Sequence, residues 1–383
     1  MNKIIMSLIC VTPFITCFSC TDTESTDKVV TLLPSIKKIF ILDDSSKALS
    51  IQNQVFENDA DDKSYFTFLN VNLNSIDFFE LETSRFSHRI KFEKEGPNGI
   101  GTLGGYLVHT VDSIFVVREN TYLIYLMKAN KVINKYDLLN EERSANTSLP
   151  WVQSGRLITK IGDLLVLAGV PDDTRTIAAR KKAKNMITLN IQTKKVNRYL
   201  DFPSLFLHDG KPWSNYYSNF YYCINFSKNS ILYSFAAYEN IIESNLSFVP
   251  TKEHLAQSQF IDKIRVDNNP YSDDTPFPKA FFFYGQQPSY GAIIYDQYRE
   301  VYYRFATYPQ KKTIKNKEVF IGKNTIIILD KNLKKIGKIE MDSVYKNNCF
   351  VTPQGLFIQH HTDIENQSVF ERYDLDDGKG RLR

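Results

Sequence analysis

From about Val29 to Asp374, apolar and polar residues alternate with a period of two in short runs separated by polar turns. Successive side chains of a strand point to opposite faces, so this pattern predicts β-strands; helical spacing is nearly absent. Ser64–Leu69, Ser75–Leu81 and Phe86–Phe92 read as three strands of a meander. Gly105–His109, Ser113–Val117, Tyr122–Met127 and Val132–Tyr136 read as four more, with turns at Thr110-Val111-Asp112, Glu119-Asn120 and Ala129-Asn130 that suit hairpins. Similar hairpins follow at Leu157–Leu167 with Met186–Leu200, then at Asn219–Ala237, Ala280–Ala306, Asn324–Ile339 and Cys349–Tyr373.

Grouped as four-stranded modules, these strands make six or seven units. A lone four-stranded sheet cannot cover both of its faces, so modules of this kind stack around an axis, and the fold class expected is all-β, a β-propeller. Six blades are favoured and seven stay open. One phrase recurs, an apolar residue followed by an acid and a turn: Phe79-Glu80-Leu81, Tyr136-Asp137-Leu138, Tyr295-Asp296, Leu329-Asp330 and Tyr373-Asp374-Leu375. Two segments depart from strand texture and read as short helices or insertions, Asp172–Lys184 and Pro250–Ile264.

Composition agrees with this reading. The chain has 27 Phe and 22 Tyr against 16 Gly and 5 Met, a balance that favours strands. With 47 basic and 43 acidic residues the net charge is only +4, which gives no footprint for nucleic acid.

The N-terminus has the grammar of a secretory signal. Lys3 supplies a positive start, and Ile4–Ser19 is apolar but interrupted by Pro13 and too short for the roughly 20 residues of a spanning helix. It ends at Cys17-Phe18-Ser19-Cys20, a small residue directly before a cysteine, which suits lipoprotein processing with Cys20 as the lipidated residue; Cys17 is the alternative. Residues 1–19 are thus read as signal, 20–28 as a flexible acidic tether, 29–377 as the propeller and 378–383 as a tail. The expected location is the cell envelope, as an outer-membrane lipoprotein facing the periplasm or the surface, held to the membrane by its lipid. Only Cys223 and Cys349 remain in the domain, both inside apolar runs that favour buried thiols over a disulfide.

The segment Lys91–Gly101, the pair Ile294-Tyr295-Asp296 and Val301–Phe305, and the late runs Ile326–Asp330 and Gly355–Ile358 carry a resemblance. They resemble exported Bacteroidetes lipoproteins classed as a domain of unknown function (4221), with a TolB-like six-bladed propeller. The resemblance spans nearly the whole chain after the signal and implies a fold and a location; it supplies no catalytic residues.

Candidate chemistry is sparse. Gly99-Ile100-Gly101-Thr102-Leu103-Gly104 fits the spacing of a dinucleotide loop, but a strand follows where a helix is required, so a turn between blades is expected. Gln287-Pro288-Ser289-Tyr290-Gly291 lacks the first glycine of a nucleophile elbow. His360 and His361 are strand neighbours pointing apart, and no histidine spacing suits a metal. The acidic loops Asn58–Asp62 and Asp374–Gly378 lack the distal glutamate of a calcium site. Carboxylate pairs for glycoside hydrolysis are spaced in three dimensions and stay open. Trp213, Tyr216 and Tyr217 are the ligand-binding candidates, because aromatic faces stack on sugars and peptide side chains. No catalytic residue, metal ligand or cofactor is assigned. The expected role is a non-catalytic binder or scaffold with an envelope protein or glycan as partner; the alternative is a glycan-binding or glycan-processing enzyme with its site at the central channel.

Overall fold

The computed structural model describes residues 30–378 except 44–45, 47–49, 51, 140–146, 175, 208–216, 218, 266–282, 315–316 and 342–343. Its strands form six antiparallel sheets. Strand β1 (Thr31–Ile41) comes first in the chain but belongs to the last sheet. Blade 1 is β2 (Asn53–Asn58), β3 (Lys63–Asn70), β4 (Ser75–Glu80) and β5 (Phe86–Lys91), in that spatial order. Blade 2 is β6 (Leu103–Thr110), β7 (Ser113–Arg118), β8 (Leu123–Lys128) and β9 (Lys131–Asp137). Blade 3 has a divided first strand, β10 (Ser148–Pro150) and β11 (Thr159–Ile161), followed by β12 (Leu164–Pro171), helix α1 (Ile177–Lys182), β13 (Met186–Asn190) and β14 (Val196–Tyr199).

Blade 4 is β15 (Phe220–Asn225), β16 (Ser230–Phe235), β17 (Asn240–Asn245) and β18 (Pro250–Leu255). Blade 5 is β19 (Ser289–Asp296), β20 (Val301–Ile314), β21 (Lys317–Leu329) and β22 (Lys335–Met341). Blade 6 is β23 (Val344–Thr352), β24 (Gly355–His360), β25 (Gln367–Asp376) and, outermost, β1. The molecule is therefore a six-bladed β-propeller, as expected. Its ring is closed by the N-terminal strand, which pairs antiparallel with β25 from Thr31↔Asp376 to Ile41↔Gln367.

The first strands of neighbouring blades touch around the axis, β2 with β6 and β23, and β19 with β15 and β23. The side-chain amides of Gln52 and Gln54 bind β2 to β6. Gln52 donates to the Tyr106 carbonyl and accepts from its N–H, and Gln54 does the same with Val108. The two brackets advance together along both strands, so the strands run parallel, as inner strands of a ring must.

Between blades, both faces of the middle strands are covered. Tyr65–Asn70 of β3 and all of β16 are buried, and alternation gives way to continuous apolar sequence there. The closing seam is aromatic. Phe40 of β1 stacks on Phe66 at 4.3 Å, and Phe66, Phe350 and Phe370 pack within 5.1–5.5 Å of one another. Burying each ring contributes about 1.5–3 kcal/mol, so this seam holds the ends of the ring together without covalent help.

Pro250–Ile264 was expected to be helical, and the structure corrects this: Pro250–Leu255 is the outermost strand of blade 4. An outer strand lies largely in solvent and needs no apolar face, which is why its sequence lacks strand alternation. Residues 177–182 do form the short helix, capped by the Thr176 side chain accepting from the Ala179 N–H. Cys223 and Cys349 are free thiols, and burial pushes the pKa of each up.

Candidate functional site

Propeller sites are usually sought at the axis, and here the axis is filled from within. β10 pairs with Gly169–Pro171 of β12, whereas β11 pairs with Leu164–Val166. The innermost strand of blade 3 thus leaves the sheet after Pro150 and returns at Thr159, and residues 151–158 bulge inward. Gly155, at φ +81°, lies so close to blades 4 and 5 that a Cβ would sit 2.8 Å from Ala292 Cβ and 3.1 Å from the Tyr221 ring. Ser154 Oγ accepts the Asn53 N–H of blade 1 at 3.3 Å, and Val152 packs on Gly105 of blade 2. One segment therefore touches the inner strands of four other blades.

Arg156 sits at the root of this plug. Its guanidinium is 3% exposed and lies over the rings of Tyr221 (5.5 Å) and Trp151 (5.8 Å). It donates at 3.5 Å to Asn219 Oδ1 and the Phe220 carbonyl, and burial pushes its pKa down to about 10. Asn347 ties the neighbourhood together by donating to Tyr221 Oη (2.9 Å) and accepting the Ala292 N–H (3.1 Å).

The two faces of the ring differ. Turns from first to second strand and from third to fourth all emerge on one face, and none exceeds five residues. β1 begins and β25 ends there, so both ends of the described chain lie on this face. Connections from second to third strand, and between blades, emerge on the other. That face carries α1, the described parts 200–207, 256–265 and 283–288 of two connections, and the long β20–β21 hairpin, all on blades 3 to 5.

A groove of about 570 Å³ lies on the chain-end face, between blades 6 and 1. Lys38, Val55, Lys63, Glu80, Phe357 and Arg372 contribute to it. Its cations are engaged: Lys38 Nζ donates to the carbonyls of Leu81 (2.7 Å) and Glu82 (3.1 Å), and Lys63 pairs with Glu80 at 2.6 Å. Desolvation pulls the Lys38 pKa down, while the bond to Glu80 raises that of Lys63. These contacts close the seam and present mixed charge; they contain no nucleophile paired with a base.

The residues singled out in the sequence are scattered. Trp213 and Tyr216, with Cys20, lie outside the described residues. Tyr217 is fully buried and meets Tyr284 edge to face at 5.4 Å, so its ring is packed in the core and offers no surface for stacking, contrary to the expectation of a loop aromatic. His360 binds Tyr373 Oη (2.9 Å), while His361 stacks on Tyr345 at 3.9 Å, so the pair diverges. Gly99–Thr102 lies in the connection between blades 1 and 2, with Gly101 at φ +73°, and Leu103 and Gly104 begin β6. Ser289 is buried at the start of β19. Asp61 caps its own turn by accepting from Tyr65 Oη and the Lys63 N–H. Among the described residues no group of three or more His, Cys, Asp or Glu is placed to hold a metal ion.

The axial plug escaped the sequence reading because Trp151–Arg156 has neither strand nor helix periodicity; Gly155 was its one local signal.

The fold has solved counterparts. A member of the DUF4221 family from Bacteroides vulgatus ATCC 8482 superposes with a TM-score of 0.79 at 20% identity, over 91% of this chain and 99% of that one. A Bacteroides fragilis NCTC 9343 protein named for its expected export superposes with a TM-score of 0.54 at 10% identity, over 91% and 96%. No curated protein sequence matches the chain. The profile of the domain of unknown function DUF4221 matches residues 30–340, which is most of the propeller. The chain belongs to the DUF4221 family.

Proposed function

We propose that this protein is an exported, lipid-anchored propeller that acts as a non-catalytic binding or scaffold protein of the cell envelope. Recognition is assigned to the face bearing the long connections of blades 3 to 5. The observation that carries this reading is the division of labour between faces: among the described residues, both ends of the propeller lie on the short-turn face, and the connections longer than five residues between strands of a sheet or between blades start and finish on the opposite one. A tether attached at Cys20 would then leave the elaborated face turned toward partners. Residues Lys3 to Cys20 support export and lipidation. The structural relative named for export is consistent with it. No helix among the described residues is long and apolar enough to cross a membrane.

The competing glycan-processing reading needs polar residues converging at the central channel. Residues 151–158 occupy that position, with Val152 and Gly155 against neighbouring inner strands, and this counts against it.

The test combines fractionation with capture. The native protein, cross-linked in membranes, should recover a reproducible envelope partner, and Cys20→Ala should move to the soluble fraction. A Cys20→Ala protein that stays in the membrane would overturn the anchor. Capture of nothing, together with turnover of an envelope glycan, would overturn the binding role.

A further inference from the structure

In blade 5 the second and third strands outrun their neighbours. β19 pairs with β20 only up to Ser289↔Thr307, and β22 meets β21 only from Asn324↔Met341. Beyond these points β20 and β21 pair with each other alone, from Tyr308↔Lys323 to Ile314↔Lys317. Seven residues on each strand thus project as a ribbon, about 24 Å long at roughly 3.4 Å per residue.

The ribbon has a rigid root. Tyr308 stacks on Phe260 at 4.8 Å and donates to Glu340 at 2.6 Å, and Lys338 lies over the Phe260 ring. Its composition is unlike that of the rest of the chain. Residues 308–323 hold five lysines and one glutamate, a net +4 that equals the charge of the whole protein, so the remainder is balanced. Beside the lysines stand apolar residues, with Phe320 exposed and Lys311 over its ring at 5.8 Å.

We propose that the outer edge of β21, over Val319–Gly322, takes up an extended acidic segment of a partner protein as an added strand. This rests on the binding role proposed above and names the partner chemistry. Among the described residues no third strand pairs with this stretch, so its outward backbone N–H and C=O groups form a template for strand addition. The β20 edge is less suited, because Pro309 has no N–H to give. Lysines along the ribbon oppose pairing with a second copy, since like charges meet across the new ladder, and they favour carboxylates. An anionic glycan fits less well: it makes no use of backbone groups, and Phe320 is the single exposed ring described on the ribbon.

The experiment uses the chain from Thr21 onward and a fluorescent peptide of alternating Glu and Val. Two controls are the same peptide N-methylated on alternate backbone nitrogens and poly-glutamate of equal charge. The alternating peptide should bind at least about tenfold more tightly than either control. Amide exchange at Val319–Gly322 should slow in the complex. Ile321→Pro and the double change Lys312→Glu with Lys317→Glu should each weaken binding by about tenfold or more with unchanged thermal melting. No binding, or equal binding of the N-methylated peptide, which requires no change to the protein, would overturn the proposal. So would undiminished capture of the envelope partner after the ribbon is cut back to Thr307 and Asn324, a result that leaves the binding role itself standing.

Discussion

The Arg304 guanidinium on β20 is fully buried, and among the described residues no carboxylate accepts a hydrogen bond from it. It donates to Ser234 Oγ (3.0 Å) and to the carbonyls of Tyr238, Glu239 and Ala256 on blade 4, and it lies 3.9 Å from the Tyr290 ring. Desolvation pushes its pKa down to about 10, which leaves it charged at neutral pH. The side chain holds blade 5 against blade 4 through oxygens that are buried at Ser234 and Ala256 and half-buried at Tyr238 and Glu239. Arg304→Met should cost about 3 kcal/mol or more, because two buried and two half-buried acceptors lose a charged donor. Urea unfolding would measure this, and a loss below about 1 kcal/mol would contradict the role.

His360 gives a pH signature. Burial lowers its pKa, against the opposing pull of Glu371. The unfolded chain takes up this proton near pH 6.5, whereas the folded protein does so only at lower pH. The unfolded state therefore binds more protons as pH falls below about 6.5, and the His360 contribution to stability is lost on acidification. The urea midpoint should drop between pH 7.5 and pH 5, and His360→Gln should drop less. Equal slopes would remove His360 from the account.

Among elements, strands announced themselves in proportion to how fully they are buried. β3, β16 and β21 carry long apolar or aromatic runs and were legible from sequence. β2 (NQVFEN) was not, because Gln54, like Gln52 just before the strand, serves as a bracket to the next blade instead of facing water. β18 was misread because the rim of a blade is exposed. The recurring acid-and-turn phrase also proved not to be one motif. Glu80, Asp330 and Asp374 lie at or near the ends of third strands, Asp137 ends a fourth strand and Asp296 a first. Three of them share turn chemistry: Asp137 accepts from the Leu139 N–H, Asp296 from those of Tyr298 and Arg299, and Asp330 from those of Asn332 and Lys334.

β1 falls in the alternating stretch that begins near Val29 but was not singled out as a strand, and nothing local to it said that it pairs with residues more than 300 positions away. Its start is clasped where Val30 donates to the Ile336 carbonyl at 2.9 Å beside Gly337. A Cβ on Gly337 would lie 2.0 Å from the Val30 oxygen. Gly337→Ala should therefore displace the start of β1 and cost about 1–3 kcal/mol. Faster amide exchange in β1 than in β24 would report it, and unchanged exchange would argue that the clasp is idle.

At the scale of the molecule, the ring was legible and its axis was not. A propeller follows from the repetition of four-stranded units, whereas the plug depends on contacts among five blades that no window of sequence contains. Gly155→Val would drive a branched side chain into Ala292 and Tyr221 and demand a disfavoured backbone angle. It should lower the thermal midpoint by several degrees and hasten exchange in the inner strands of blades 4 and 5 together. A change confined to blade 3 would mean that the segment does not brace the ring. The candidate surface was partly legible: the lysines of 308–323 are plain in the sequence, but their projection beyond the sheet depends on where β19 and β22 stop.

Closure by the first strand also sets how the molecule bears load. Tension applied through the segment before Val30 runs along β1, parallel to its own axis, and is met by nine paired positions with β25. All of these rungs are sheared at once and must fail together, whereas a strand pulled sideways opens rung by rung. A domain tugged by its N-terminus thus resists at the strongest geometry a sheet offers. The two chain ends do not share this lock: β1 starts and β25 ends at the same edge, so pulling the two ends apart from each other opens the ladder rung by rung from Thr31↔Asp376.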